Sequence, residues 1–172
     1  TVILQPRAAV RHEHGQGGIA NASQLGGALG VSYQVVQRHL GVLERIFLLR
    51  RLPPYFRNVG KRLVKAPKLY LRDTGLLHHL LNVRSQEDLE GHPIRGASWE
   101  TFVIEDILRR EALAHPGSQA FFWRTAAGAE ADRVLERGEK RTVVEIKTAV
   151  GGSGRQVRVL RLLFREVCAG PC

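Results

Sequence analysis

The sequence predicts an α+β protein in two parts: a winged helix-turn-helix over 1–91 and a partial αβββα domain over 92–172. Three features point to it. A helix–Gly–helix pattern at 21–45 is followed by two short apolar runs with a strongly basic segment between them. Positive charge is concentrated in the first half: residues 1–73 hold 12 Lys/Arg against 3 Asp/Glu, whereas residues 74–172 hold 14 against 13. An amphipathic helix from Ser98 then precedes three strand-like runs, the last two within Gly128–Lys147, GAEADRVLERGEKRTVVEIK.

Composition narrows the function classes. At 172 residues the chain can bury one sizeable core or two small ones. A net charge of +10 concentrated in one half suits a polyanionic partner, and DNA is the expected one. The same charge on a face that only solubilises the chain is the plain alternative. No apolar run approaches a membrane span and no secretory pattern opens the sequence, so no membrane partner is expected. Cys168 and Cys172 lie four apart in a tail without neighbouring His, a poor zinc site; a reduced, cytoplasmic chain is the simplest expectation.

Thr1–Val10 has helical spacing interrupted by Pro6, and HEHGQGG at 12–18 reads as a loop in which His12 and His14 are solvated. No Met occurs, and a fragment of a longer chain is expected. Asn21 or Ser23 caps a short helix bearing Leu25, Ala28 and Leu29, and Gly30 stops it. Ser32 caps a second helix, Tyr33 to about Arg45, with Val36, Leu40 and Leu43 on one face. The start of that helix carries Tyr33, Gln34, Gln37 and Arg38, types that read base edges or hold phosphates. The same unit can instead pack on another protein domain. Ile46–Leu52 and Leu69–Leu71 read as the strands of a wing, broken at Pro53-Pro54. Between Arg50 and Arg72 lie eight Lys/Arg and no acid, including Arg57, Lys61, Arg62 and Lys65, with Tyr55, Phe56 and Tyr70 interleaved. That combination suits phosphate contact.

Asp73 begins a further helix, and Arg84–Ile94 reads as a polar linker. Ser98 then caps a helix from Trp99 to about Leu113, with Trp99, Phe102, Val103, Ile107 and Leu108 as its apolar stripe and Glu100 near its start. QAFFWR at 119–124 is a strand. In the following hairpin, residues two apart share a face, so Glu130 goes with Asp132 and Glu145 with Lys147. Carboxylate oxygens suit Mg²⁺ or Mn²⁺, and a lysine beside them can orient or activate water. The alternative is a solvated hairpin with surface charges. The β-branched run TVVEIK favours burial, where an unpaired carboxylate is costly.

The helix–strand–strand–strand order, with acids on the helix and on the second and third strands, resembles the PD-(D/E)xK nuclease-like superfamily. Asp132 matches its second-strand acid, Glu145 and Lys147 its ExK pair, and Glu100 the acid often found on its first helix. Ala131 stands where a proline often precedes the aspartate. The resemblance implies that Asp132, Glu145 and Glu100 are metal ligands and that these three and Lys147 are the catalytic set. A closer resemblance spans roughly 19–148. LGVSYQVVQRHLGVLERIFLLRRLPPYFRNVGKRLVKAPKLYLRDTGLLH, HPIRGASWETFVIEDIL and FFWRTAAGAEADRVLE…VVEIK are similar to domain of unknown function 4143, the region after an AAA-type ATPase domain. It implies an N-terminal ATPase domain as partner, since this chain has no GK[S/T] phosphate loop of its own. After Thr148 the likeness fades. Gln156–Arg165 reads as the next helix, and the tail EVCAGPC supplies no convincing fourth strand. The expected function is DNA binding with metal-dependent phosphodiester hydrolysis, or else a non-catalytic module that binds DNA or protein and regulates the ATPase.

Overall fold

The computed structural model describes residues 15–55, 66–124 and 130–146, and the backbone of Val157–Arg158. Among these residues the protein is mixed α+β, with helices and two small antiparallel sheets. The chain divides into two compact units: Thr1–Arg51 with Ala66–Phe102, and Leu52–Lys65 with Val103–Cys172.

In the first unit, α1 (Ala22–Leu29) begins where the Asn21 side chain accepts the Gln24 N–H at 3.0 Å. α2 (Tyr33–Arg45) begins at Ser32, which accepts from Val35 N–H. Strands β1 (Leu49–Leu52) and β2 (Lys68–Leu71) form the two-stranded sheet. α3 (Thr74–Leu80) is capped by Asp73. Ala22, Val36, Leu69, Tyr70 and Leu77 are buried here. Residues before α1 run along β2: Gly17 N–H donates to the Leu69 carbonyl, and Leu69 N–H to the Gly18 carbonyl. The Gln16 side-chain amide meets both backbone groups of Leu71 at 2.8 Å, as a strand neighbour would. The 15–18 part of the expected loop is therefore an anchored edge.

Three of these helix ends share one hydrogen-bond pattern. After α1, Gly30 N–H bonds to Gly27 O and Val31 N–H to Gly26 O; after α3, Asn82 and Val83 repeat it; after α2, Phe47 and Leu48 do. The pattern needs a left-handed residue at its centre. Gly30 (φ 67) and Asn82 (φ 61) suit that conformation, whereas Phe47 (φ 60) adopts it at about 1–2 kcal/mol. This reversal occupies the residues expected to open the wing, so β1 starts at Leu49 rather than Ile46.

Two further expectations change. The polar stretch after Arg84 contains α4 (Gln86–Gly91), closed by a reciprocal cap in which Ser85 accepts from Asp88 N–H and Asp88 accepts from Ser85 N–H. α5 (Arg95–Ala114) starts three residues before Ser98, which lies inside it, buried, with its hydroxyl 2.7 Å from His78 Nε2. Buried on α5 are Ser98, Thr101, Val103, Ile104, Glu105, Leu108 and Glu111; Val103 and Leu108 belong to the expected stripe, while Phe102 is exposed and stacks on Trp99.

The second unit holds the end of α5 and a sheet in the order β3 (Gln119–Arg124), β4 (Glu130–Arg137), β5 (Lys140–Ile146), β6 (Val157–Arg158). Gly138, with φ 58, opens the two-residue turn between Arg137 and Lys140. Val134 and Val143 share one face and pack with Tyr55, Phe121, Trp123 and Ala131. The other face carries Phe122, Arg133, Leu135 and Val144, all buried. Arg137 continues that face and makes a two-point ion pair with Glu111, so the end of α5 covers it. Residues 53–55 run beside β3: Phe122 N–H donates to Pro53 O and Tyr55 N–H to Phe122 O. Val157–Arg158, expected in a helix, is the fourth strand, antiparallel to β5. The rest of 156–165 and both cysteines lie outside the described residues.

The Glu111–Arg137 pair predicts an acid limb in stability. Hydrogen bonding to Arg137 holds the Glu111 carboxyl below its ordinary value of 4.5. The ion pair's stabilisation is complete above that ordinary value and is lost as pH falls through the lowered one. Its size is about 1–2 kcal/mol, because Arg137 keeps 35 % exposure. Urea midpoints across acid pH should fall less steeply for Glu111→Gln than for the unaltered chain. Parallel acid limbs would contradict this.

Candidate functional site

The centre of the site is an irregularity in β4. Phe121 pairs with Val134 and Trp123 with Ala131, so two steps on β3 face three on β4. The extra residue falls at Asp132–Arg133, opposite Phe122. Such a bulge bends the strand and re-aims side chains, and bulges are frequent beside active sites. Here it coincides with the end of the β4–β5 ladder at Arg133↔Val144. One step further, the Asp132 carboxylate accepts the Ile146 N–H through Oδ2 at 2.6 Å. That bond fixes the carboxylate where the β4–β5 ladder ends, on the backbone of the residue that follows Glu145 in β5. Glu145 itself lies opposite position 158 of β6.

Glu130 lies opposite Arg124 on β3 and pairs with it at 3.7 Å. Arg133 is fully buried, with one guanidinium nitrogen donating to the Asp132 carbonyl. The Asp132 residue is thus held at both its carboxylate and its carbonyl. Lys147 lies outside the described residues.

Glu100 belongs to the first unit, where its carboxylate accepts the hydroxyl proton of buried Tyr70 at 3.0 Å. Asp132 and Glu145 belong to the second. Among the described residues no group of three or more His, Cys, Asp or Glu is placed to hold a metal ion. The carboxylates of Asp132 and Glu145, on neighbouring strands, are hard oxygen ligands and suit Mg²⁺ or Mn²⁺ in kind.

The expected nucleic-acid residues divide likewise. Tyr33, Gln34 and Arg38 are exposed on the first turns of α2. Gln37 is engaged at both ends of its amide: it donates to the Tyr33 hydroxyl at 3.1 Å and accepts from Arg51 at 3.1 Å. Arg51 also pairs with Glu44 at 3.3 Å, tying β1 to α2. Arg57, Lys61, Arg62 and Lys65 lie outside the described residues. The residue pattern gave no sign of the Arg51 clamp, the Tyr70–Glu100 bond or the Asp132–Ile146 bond. Each joins residues at least 14 apart through a register or crossing that only folding sets, apart from the nearer Arg51–Glu44 ion pair.

No helix among the described residues is long and apolar enough to cross a membrane. No solved structure matches this chain. The uncharacterized proteins Mb2031c of Mycobacterium bovis and Rv2008c of Mycobacterium tuberculosis are each 38% identical over 148 residues, 86% of this chain and 32% of theirs. The chain thus spans about a third of the length of these curated relatives. Residues 8–87, which hold the LGVSYQ…TGLLH string, match the model described as domain of unknown function DUF8612 rather than that of DUF4143. The second match continues to residue 169, beyond Thr148 where the likeness had been expected to fade. Over residues 95–169 the chain matches the domain of unknown function DUF4143, which supports the resemblance carried by its helix and ExK strings.

Proposed function

We propose that this chain is the DNA-binding, nuclease-like part of a longer ATPase-linked protein, with a winged helix-turn-helix in its first unit and a PD-(D/E)xK-like hairpin in its second. The observation that carries the second assignment is the bulge at Asp132–Arg133, with the Asp132 carboxylate anchored on the N–H of Ile146, the residue after Glu145. Asp132 and Glu145 hold a divalent ion, with the Ile146 carbonyl as a further oxygen donor. When bound, Mg²⁺ or Mn²⁺ supplies Lewis acidity toward a phosphodiester oxygen. Lys147 orients the attacking water or balances charge on the phosphate. Tyr33, Gln34 and Arg38 face the duplex from the start of α2, and the basic segment at 57–65 follows its backbone. The test is Mn²⁺-dependent plasmid cleavage by the full-length protein. Cleavage that survives Asp132→Ala combined with Lys147→Ala would sink this assignment.

DNA binding has its own readout. Arg38→Ala with Lys61→Ala and Arg62→Ala should weaken duplex binding and reduce the slope of log affinity against log salt by about 3. An unchanged slope would move the basic half to a protein partner.

One observation favours a second reading, a non-catalytic module that regulates the attached AAA-type ATPase. The Glu100 carboxylate is engaged by Tyr70, and two carboxylates alone make a sparse metal site. Calorimetric titration with Mn²⁺ separates the two. A catalytic hairpin binds Mn²⁺ and loses it in Glu145→Gln, whereas a scaffold shows no heat that depends on Glu145.

A further inference from the structure

We propose that the C-terminal end of α2 is a docking site for an acidic amphipathic helix of a partner protein. Two independent observations meet there. The first is the left-handed Phe47. Of three helix ends with the same hydrogen-bond pattern, two use Gly30 and Asn82, which tolerate that conformation. The third uses a bulky aromatic residue that is 73 % exposed, so its burial within this unit does not repay the strain. A strained residue kept where glycine would serve better points to a use outside the local fold.

The second observation is what surrounds it. Val42 on the last turn of α2 and Ile46 at its C-cap, four residues apart, are 42 % and 55 % exposed, and Ile46 adjoins Phe47 in the chain. Arg45 is exposed one turn from Val42, and the Arg72 guanidinium lies over the Phe47 ring, 5.7 Å from its centroid. The patch is therefore an apolar strip flanked by two cations. Its one-turn spacing accepts apolar side chains that recur at the same spacing on a partner helix. The flanking arginines select acidic residues beside those side chains. A second copy of this chain fits less well, since its net charge of +10 would oppose its own arginines. DNA would satisfy the arginines but leave Val42 and Ile46 against phosphates.

The test uses the full chain and a labelled helical peptide with leucines on one face and glutamates on the other, read by fluorescence anisotropy. The unaltered protein should bind it. Phe47→Gly should weaken binding about tenfold or more while its melting temperature stays level or rises, which excludes misfolding as the cause. Arg72→Gln should also weaken it, and a peptide with lysines in place of glutamates should bind at least about tenfold less tightly. Equal binding by Phe47→Gly, or equal binding of the lysine peptide, overturns the proposal. So does a fall in duplex DNA affinity for Phe47→Gly with peptide binding unchanged, which assigns the ring to insertion between bases. A dimer in sedimentation that Phe47→Gly dissolves overturns it in favour of a second copy.

Discussion

Asp132→Asn in the full-length protein should fold as the unaltered chain does and lose Mn²⁺-dependent cleavage by about 100-fold or more. The two effects separate because the proposed function gives the carboxylate a second task beside its structural one. One oxygen accepts the Ile146 N–H at 2.6 Å, where the β4–β5 register ends. An asparagine side chain keeps an oxygen acceptor there, so the mouth of the hairpin stays closed. It does not keep the negative charge that a divalent ion needs. Asp132→Ala removes both and leaves Ile146 N–H without its partner, adding a loss of about 1–2 kcal/mol. The measurements are plasmid cleavage with Mn²⁺ and the urea midpoint of each variant. Equal cleavage by Asp132→Asn would remove the metal role from this residue. Equal stability of Asp132→Ala would remove its architectural role.

Phe122→Ala should be the most damaging single truncation in the second unit, at about 3–5 kcal/mol. The Phe122 side chain is fully buried. Its backbone is bonded on both sides of the 53–55 segment, to Pro53 O and from Tyr55 N–H. It also stands opposite the extra residue in β4, on the face that the end of α5 covers. Its removal leaves a cavity beneath the one irregular point of the sheet, so the bulge loses the support that aims Asp132. Phe122→Leu, which keeps most of the volume, should cost far less, about 1–1.5 kcal/mol. Denaturant unfolding of both variants checks the difference. A loss for Phe122→Ala no larger than for Phe122→Leu would show that the site collapses freely and does not brace the bulge.

Local chemistry made much of the fold legible. Asn21, Ser32 and Asp73 cap helices because a short side-chain oxygen satisfies an open N–H within three residues, a contact needing no distant partner. QAFFWR and the two strands of the hairpin were readable from aromatic and β-branched runs and from alternation. The misread places were those where a distant partner overrides a local sign. Ser98 looks like a cap, but a serine inside a helix is equally stable once His78 takes its hydroxyl. Val157–Arg158 has helical neighbours in sequence, yet the open edge of β5 pairs it as a strand. Ser85–Asp88 is the exception: its reciprocal cap was local and readable, but the polar composition of 84–94 hid a helix of six residues.

The candidate site divides in the same way. Residue types and two-residue alternation were enough to single out Asp132 and Glu145 and to place them on neighbouring strands. Alternation assumes an unbroken pleat, so it could not foresee the extra residue in β4, the Glu130–Arg124 pair or the bond that holds Asp132 on Ile146 N–H. Nor could it foresee that Tyr70 would claim the Glu100 carboxylate, or that a phenylalanine would take the left-handed place at the end of α2. Caps, turns and strand faces depend on a few consecutive residues and are written in the chain. Register, bulges and the partners of buried polar groups depend on which segments meet, and only the folded packing decides that.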